Sequence, residues 1–438
     1  MAWRWDRGAA VLWRCRGRAR RPIAAGYVAV QRIRGEDAGV TPRSPYLWPV
    51  LVALLAAHLA GMGAFLTVPV LAPAMAPETG IPASFAGFHT ALVYAGALLT
   101  GPLTGPLIKI LGGVRLLQIA MVTLGCGIAL AMLGHPAALA ASALLAGIGH
   151  GPLTPGGSHL LAAHTPVKRR ALVFSMKQAG VPLGAMVVAW MTPAIALVWG
   201  WRAGVLAMSA IAFLVAIGLE PLRRALDQVE PGARPAGGFV GILRESAAGI
   251  GMLRRDGELA RLTIMSCGYG IAQFCFSTFF VAYLVTTHGL SLAEAGIRLA
   301  LAQGAGVIGR VAWALLADRF GARGSLVACG LLAAVAGMVL ATAGEGWSVP
   351  LITLAGILMG ATAIGWNGLM LSEAARLARN GQVGATTAAL SFAFSSTMLV
   401  APPAFSILVT VTGGYAAGFL MCVVAALVGA YAIAGTRK

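Results

Sequence analysis

The sequence predicts an all-α integral membrane protein with twelve transmembrane helices, arranged as two pseudo-symmetric bundles of six. Three observations support this fold class. Apolar residues make up 58% of the 438 residues and charged residues only 11%, which leaves too few polar side chains to cover a water-soluble domain. The apolar residues fall in twelve runs of about 20 residues, the length that crosses a bilayer. A short charged hairpin motif also occurs twice, once in each half of the chain.

The twelve apolar runs define the expected helices in chain order. Those of the first half are centred on 47–70, 86–108, 114–133, 137–162, 171–192 and 203–219. Those of the second half are centred on 262–286, 292–316, 324–343, 349–372, 383–409 and 414–434. Two local signals place helix starts. Pro136 suits the first position of the fourth span, and Ser291 with Glu294 has the spacing of a capping box at the start of the eighth.

The distribution of charge predicts the orientation. The chain carries 32 Lys and Arg against 14 Asp and Glu, a net charge of +18. If the amino terminus is cytoplasmic, only Arg202 and Arg298 fall on the other side of the membrane, and only Lys177 and Arg310 fall within spans. The positive-inside rule therefore places both termini in the cytoplasm, which requires an even number of spans. Nucleic acid is not expected as a partner, because the cations border membrane spans.

The chain is expected to divide into a tail, two bundles and a linker. Residues 1–45 are rich in Arg and fit a basic cytoplasmic tail, a targeting peptide or translation from a misplaced start codon; a disordered tail or a start-site artefact is favoured. Residues 46–220 form the first bundle and 262–438 the second, with a cytoplasmic linker at 221–261. The six cysteines lack metal-ligand spacing and are interpreted as small apolar residues.

The hairpin after the eighth span carries an unusual order of charges. The segment that starts at Gly309 reads Gly-Arg-Val-Ala-Trp-Ala-Leu-Leu-Ala-Asp-Arg-Phe-Gly-Ala-Arg. It resembles the signature Gly-x-x-x-Asp-Arg-x-Gly-Arg-Arg/Lys of the major facilitator superfamily (MFS) of secondary transporters, which lies between the second and third helices of each half. The matching positions are Asp318, Arg319, Gly321 and Arg323, with Ala314 in place of the first Gly. The resemblance covers residues 46–438 and implies the MFS fold.

The first half contains the same hairpin in altered form. The segment that starts at Gly105 reads Gly-Pro-Leu-Ile-Lys-Ile-Leu-Gly-Gly-Val-Arg and keeps Gly112, but Lys109 stands where the signature has Asp. A separation of 209 residues relates Lys109 to Asp318 and also Gly112 to Gly321. The spacing indicates a duplicated six-helix unit, and parallel repeats of this kind build such transporters.

The resemblance also implies a gating role for these hairpins. Asp318 would cap the cytoplasmic start of the fifth helix, where the helix dipole favours a carboxylate, and Arg319, Gly321 and Arg323 complete the motif. This contact would hold the inner gate shut and break as the halves rock. Lys109 has the opposite charge, so we expect the latch to be one-sided.

Two cations inside spans are the strongest candidates for a binding site. An ionisable group within a bilayer is expensive, and no span carries a carboxylate near its middle. The resemblance implies that the fifth and eighth helices face each other, so Lys177 and Arg310 are expected to flank one cavity. Their partner would then be an anionic substrate. The alternatives are that both side chains snorkel to the surface, or that Arg310 pairs with Asp318.

Residues next to Lys177 are expected to shape the interface. Gln178 is a further candidate for substrate contact. Gly180 and Gly184 form a small-x-x-x-small pair that permits close helix packing. Pro182 frees a backbone carbonyl and bends the span. Packing alone is the simpler interpretation of the glycines and proline.

Five polar or aromatic residues in other spans complete the candidate set. His58 and His150 lie near the middles of the first and fourth spans and are candidates for proton coupling, with His150 also a candidate for substrate binding. Gln273 in the seventh span lies among aromatic residues, and Trp366 and Asn367 lie in the tenth. An amide in lipid needs a hydrogen-bond partner, so these three are candidates for substrate contact; hydrogen bonding or packing between helices is the alternative.

These features predict a secondary active carrier that moves a small organic solute by alternating access, with an organic anion such as a carboxylate favoured. A drug or multidrug exporter is the first alternative, and a neutral solute remains open. A polytopic membrane enzyme or sensor is the second, but no catalytic, metal or phosphate-loop motif supports it, so no cofactor is expected. We expect a monomer in the bacterial inner membrane. Its expected partners are the lipid bilayer, the solute, and protons or a counter-transported anion.

Overall fold

The computed structural model describes residues 45–166, 169–227, 253, 256–344, 346–378 and 383–435, all within one compact unit. Every regular element in these ranges is helical, and twelve of the resulting spans are long and apolar enough to cross a membrane. The predicted fold class is therefore confirmed. The predicted tail, except for its last residue, and most of the predicted linker lie outside the described residues.

The twelve spans agree with the predicted runs in number and order. Spans 1 to 6 are Leu47–Thr79, Ala83–Thr100, Gly113–Leu133, Pro136–His164, Leu172–Trp199 and Trp201–Leu226. Spans 7 to 12 are Gly257–His288, Leu292–Phe320, Ala322–Thr342, Val349–Leu377, Thr386–Thr412 and Ala416–Ala434. Span 1 continues well past its predicted end at 70, because a membrane helix tolerates the three prolines inside it. Span 8 begins with the predicted capping box of Ser291 and Glu294.

Six of the described spans contain a break or are continued by a second helix. The helix pairs are Ala86–Thr100 with Thr104–Leu111, Pro136–His150 with Leu153–His164, Arg170–Gln178 with Gly180–Trp199, Trp201–Gly218 with Glu220–Leu226, and Val383–Met398 with Ala401–Thr412. Span 10 consists of Val349–Met359, a π-helical segment at Gly360–Ile364, and Asn367–Leu377. Each of the five pairs has a proline at or just after its break, namely Pro102, Pro152, Pro182, Pro221 and Pro402. Proline lacks the N–H that would bond back across the break.

The two halves repeat the same backbone turns. Spans 1 and 7 end at Gly80 (φ 69°) and Gly289 (φ 65°), and the hairpins after spans 2 and 8 turn at Gly112 (φ 88°) and Gly321 (φ 84°). Only glycine adopts such left-handed conformations freely. Both pairs keep the separation of 209 residues, in agreement with the predicted duplication.

We call the end of the molecule where span 1 begins the basic end. It holds most of the described cations, namely Lys109, Arg115, Arg169, Arg223, Arg224, Arg261, Arg319, Arg323 and Arg376. The opposite end holds Arg202 and Arg298. Arg202 pairs there with Glu78, which ties span 6 to span 1.

The two halves meet mainly toward the opposite end. Gly87 of span 2 lies against the backbone of Pro402 in span 11, and Gly296 of span 8 lies against the backbone of span 5. Thr90 and Thr278 form a 3.2 Å hydrogen bond between spans 2 and 7. The segments nearest the basic end, such as those after the breaks in spans 2, 4 and 10, pack chiefly within their own halves.

Candidate functional site

Spans 5 and 8 contact each other across the interface between the halves, where a break in span 5 frees a backbone carbonyl. Span 5 stops at Gln178 and resumes at Gly180. Pro182 has no N–H with which to bond the carbonyl of Gln178 four residues earlier. The Arg310 guanidinium of span 8 donates a 3.0 Å hydrogen bond to that carbonyl oxygen. A cation of one half is thus bonded to the freed carbonyl of the other.

Lys177 is buried next to this contact. Its side chain is only 1% exposed, so it does not snorkel to the surface. The Nζ donates to Ser158 Oγ at 2.9 Å and to the Thr154 carbonyl at 3.4 Å, both in span 4, and lies 5.7 Å from the Phe174 ring centroid. The ammonium is therefore held toward span 4 by neutral oxygens.

Neither intramembrane cation has a carboxylate partner among the described residues. Carboxylates elsewhere do pair with cations: Glu78 pairs with Arg202, Glu220 with Arg223 and Arg224, and Glu373 with Arg376. The alternative pairing of Arg310 with Asp318 is not formed. Two polar atoms at the contact of spans 5 and 8, Arg310 Nε and Gln178 Oε1, are buried and have no hydrogen-bond partner among the residues that the structure describes. An unpaired buried polar atom costs about 1–3 kcal/mol, so this site has one donor and one acceptor that the described residues leave unused.

The two candidate histidines lie on the same side of the molecule as Lys177. His58 is 3% exposed, and its Nδ1 lies 2.8 Å from the Leu54 carbonyl oxygen in its own helix. Its Cβ is next to Gly180 at the span 5 break, and its ring is next to Gly157 of span 4. Its Nε2 has no partner within the described ranges. His150 Nδ1 is likewise buried without a described partner. Spans 1, 4 and 5 therefore bring three basic side chains into one region of the first half.

In the second half, two candidate residues bind each other. Asn367 Nδ2 donates a 3.1 Å hydrogen bond to Gln273 Oε1, joining span 10 to span 7. Trp366 is fully buried and donates from Nε1 to the Ala363 carbonyl at 2.8 Å. Its ring contacts Tyr269 edge-on. These side chains satisfy most of their own polar groups, as the packing alternative predicts.

The π-helical segment of span 10 lies directly before Trp366. Its wider turns leave carbonyls available, and other helices use them: Trp313 Nε1 donates to Ala361 O at 2.9 Å and Cys329 Sγ to Thr362 O at 3.0 Å. Such π-helical insertions are frequent at functional sites. The closely spaced glycines at 360, 365 and 368 were the signal in the sequence for this irregular segment. Hydropathy predicts the span but not the irregularity within it.

A chain of aromatic contacts joins the two sets of candidate residues. Phe65 of span 1 lies 5.9 Å from the His150 ring and 5.7 Å from Phe274 of span 7. Phe274 lies 5.7 Å from Phe394, which lies 6.4 Å from Trp366. These rings cross the interface between the halves at mid-membrane. His150 and Trp366 therefore border the same central region.

Gly180 and Gly184 pack within the first half rather than across the interface. A side chain at either position would meet the span 1 backbone, at Leu55 for Gly180 and at Leu59 for Gly184. The expected close approach is therefore between spans 5 and 1. The bend beside Pro182 acts on the interface through the freed carbonyl.

The hairpin residues lie at the basic end. Lys109 and Asp318 are exposed, as are Gly105, Arg319 and Gly321, and Arg323 is half-buried. The Arg319 guanidinium lies 5.6 Å from the Phe320 ring centroid. Asp318 makes no ion pair or hydrogen bond with any described residue, so the contact expected of the latch is absent from this conformation.

A different carboxylate caps a helix at the basic end. Asp227, just after span 6, accepts hydrogen bonds from the backbone N–H groups of Val114 and Arg115, both at 2.8 Å, at the start of span 3. Gly112 makes room for it, since a side chain there would meet the Asp227 carboxylate. Asp227 lies in the predicted linker, where no capping residue was expected. A lone acid directly after an apolar run was the available signal.

Broken helices that bring polar side chains to mid-membrane, between two similar halves, define the class of membrane carriers with repeated bundles. The chain belongs to the Major Facilitator Superfamily, whose family model matches residues 53–402. It is therefore a multi-pass membrane transporter of the secondary type and not an enzyme, as predicted.

Relatives of known sequence and structure agree with this assignment. Two uncharacterized MFS-type transporters from two strains of Mycobacterium tuberculosis are each 24% identical over 384 residues, which is 86% of this chain and 82% of theirs. The crystal structure of the nucleoside transporter NupG matches with a TM-score of 0.70 and 13% identity, covering 90% of this chain and 100% of that one. A bacterial homologue of the human lysosomal transporter Spinster, in an inward-facing and occupied conformation, matches with a TM-score of 0.69 and 16% identity, covering 90% and 96%. At such identities the structural likeness shows the fold alone.

Proposed function

We propose that this transporter carries a small organic anion, such as a carboxylate, by alternating access. The observation that carries the proposal is the pair of intramembrane cations, Lys177 and Arg310, which have no carboxylate partner among the described residues. Both are held by neutral oxygens, which an anion outcompetes because it adds the attraction between two full charges, which is strong in a desolvated site, to the hydrogen bond. The unpaired Arg310 Nε–H supplies a donor for the anion, and Gln178 Oε1 supplies an acceptor for a hydroxyl or amide of the same solute.

The Arg310 contact also suggests how binding is coupled to movement. In the present conformation the guanidinium bonds the Gln178 carbonyl of the other half at 3.0 Å. A carboxylate that takes over the guanidinium removes this bond between the halves. The anion then binds more tightly to the conformation in which spans 5 and 8 have moved apart from this contact. Such a difference in affinity between two conformations is what allows a ligand to shift the equilibrium between them.

The proposal extends to orientation and gating. The basic end is assigned to the cytoplasm of a bacterial inner membrane, from the positive-inside rule. Asp318 is exposed there in this conformation, and its latch contact is assigned to the conformation in which the basic ends close. His58 and His150, each with a buried unpartnered ring nitrogen, are the groups that would carry a coupling proton.

A second candidate substrate is a neutral solute that forms hydrogen bonds. The observation that favours it is the Gln273–Asn367 amide pair beside Trp366, close to the aromatic residues at the interface. A flat, polar solute would stack on these rings and exchange hydrogen bonds with the amides. In that case Lys177 and Arg310 serve only to hold spans 4, 5 and 8 together.

Substitution of each cation separates the two candidates. Purified protein is screened by thermal shift against organic anions, cations and neutral solutes, and the ligands found are titrated with Lys177→Gln, Arg310→Gln and the matched control Arg298→Gln, which lies on the same helix at the opposite end. We expect anions to stabilise the wild type and the control, and to bind each of the other two variants at least ~30-fold more weakly, since losing one partner of a desolvated charge contact costs about 2–5 kcal/mol. Unchanged anion affinity in both variants, or stabilisation by neutral solutes alone, would refute the anion proposal.

A further inference from the structure

A cavity of about 170 Å³ lies in the first half, toward the opposite end, between spans 1, 2 and 4. It is partly open to the outside, where Phe85 is exposed. Its walls are largely apolar and include Val68, Met75, Phe85, Leu92 and Leu139. Lys177, Arg310 and the other residues of the proposed solute site do not line it. The cavity is therefore a separate feature that transport of the anion does not explain.

One polar side chain with no partner lines this cavity. His89 is 7% exposed, and neither of its ring nitrogens has a hydrogen-bond partner within the described part of the chain. Thr79, the other polar side chain in the lining, is satisfied by the Met75 carbonyl at 2.9 Å. Buried polar groups in folded proteins are nearly always hydrogen-bonded. An imidazole without a partner in the wall of a cavity therefore indicates that a ligand supplies the partner.

Helical geometry explains why His89 faces this cavity. Phe85, His89 and Leu92 follow the i, i+4, i+7 spacing of a single helix face, and all three line the cavity. Gly87 and Thr90 lie on the other face of span 2, where they contact spans 11 and 7 of the second half. The cavity therefore lies directly behind the contact between the halves.

We propose that this cavity is a second binding site, for a small apolar molecule with one hydroxyl group, of which phenol is the simplest. An apolar cavity of about 150 Å³ is large enough to bind benzene, so this one accepts a six-membered ring with a small substituent. One ring nitrogen of His89 donates or accepts the hydrogen bond of the hydroxyl. The apolar walls exclude charged molecules, so the ligand is of a different class from the transported anion.

Saturable binding of a fluorinated probe tests the site. The full-length protein in lipid nanodiscs is dialysed against 4-fluorophenol, the bound probe is measured by ¹⁹F NMR, and empty nanodiscs give the amount dissolved in lipid. We expect saturation at one 4-fluorophenol per chain. Fluorobenzene has the same ring without the hydroxyl, and we expect it to bind about fivefold more weakly, the effect of one hydrogen bond.

Three variants assign the binding to the cavity. His89→Leu should weaken 4-fluorophenol about fivefold and leave fluorobenzene unchanged, so that the two probes bind alike. Ala72→Phe, which places a ring inside the cavity, should abolish saturable binding of both, and His159→Leu, the same chemical change outside the cavity, should alter neither. Absence of saturable binding to the wild type would overturn the proposal, as would unchanged binding to Ala72→Phe. The comparison of the two probes on the wild type needs no variant to fold.

Discussion

Removing the Asp227 carboxylate should loosen the start of span 3. The carboxylate accepts two 2.8 Å hydrogen bonds from the N–H groups of Val114 and Arg115, which have no partner inside their own helix. Loss of a helix cap costs about 0.5–2 kcal/mol. The charge adds about 0.3–1 kcal/mol through the helix dipole at a partly exposed site. We therefore expect Asp227→Ala to destabilise the first half by about 1–2 kcal/mol.

The assay is thermal unfolding of the purified protein. For a unit of 150–250 residues, ~1–2 kcal/mol corresponds to a melting temperature lower by about 2–8 °C. The two N–H groups bond different oxygens of the carboxylate. Asp227→Asn keeps one of these oxygens and loses the other together with the charge, so its melting temperature should lie between those of Asp227→Ala and the wild type. The difference in melting temperature between Asp227→Asn and the wild type should become smaller in high salt, because salt screens the interaction of the carboxylate with the helix dipole.

Asp318→Ala is the matched control. Asp318 also lies at the basic end beside a glycine hairpin, but it is exposed and has no bonding partner among the described residues. Substitutions at such positions usually change stability by less than about 0.5 kcal/mol. The capping role of Asp227 is refuted if Asp227→Ala melts at the wild-type temperature. It is also refuted if Asp227→Ala and Asp318→Ala lower the melting temperature equally.

Two further predictions follow from local geometry. Gly112→Ala and Gly321→Ala both place a side chain at a positive φ, but a Cβ at Gly112 also meets the Asp227 carboxylate, whereas the space at Gly321 is open. Gly112→Ala should therefore have the lower melting temperature. An equal decrease in melting temperature for the two variants would contradict this. Asn367→Leu should lower stability by about 1–3 kcal/mol because it leaves Gln273 unpaired, and adding Gln273→Leu should restore part of it. A double variant less stable than Asn367→Leu alone would show that the amide pair is not the cause.

Much of the fold was predictable because a bilayer imposes simple rules on a sequence. Spans must be apolar and about 20 residues long, and all twelve were found. Duplication left glycines at equivalent positions of the two halves, and Gly112 and Gly321 adopt the same backbone conformation in the two corresponding hairpins. The lengths of spans were less predictable. Span 1 extends beyond its predicted end because a helix that packs on its neighbours tolerates prolines and a polar last turn, which here contains Glu78 and Thr79.

The candidate site was predictable in its residue types and less so in its contacts. Burial of Lys177 and the proximity of Arg310 to span 5 followed from their positions in spans and from the resemblance to the family. The sequence did not reveal that Gly180 and Gly184 pack on span 1 or that Asn367 binds Gln273. The rotation of each helix about its axis decides these contacts, and spans that are apolar on all sides carry little periodic signal to reveal it.

The amino-acid sequence by itself determined the number of spans, their division into two halves, and the presence of unbalanced positive charge within them. Each of these depends on composition and spacing along the chain. Only the tertiary structure decided that Arg310 bonds the carbonyl freed by Pro182, that Asp227 rather than Asp318 caps a helix, and that His89 faces a cavity. Those features depend on which side chains distant in sequence come within about 3 Å, the reach of a hydrogen bond, and spacing along one chain does not contain that information.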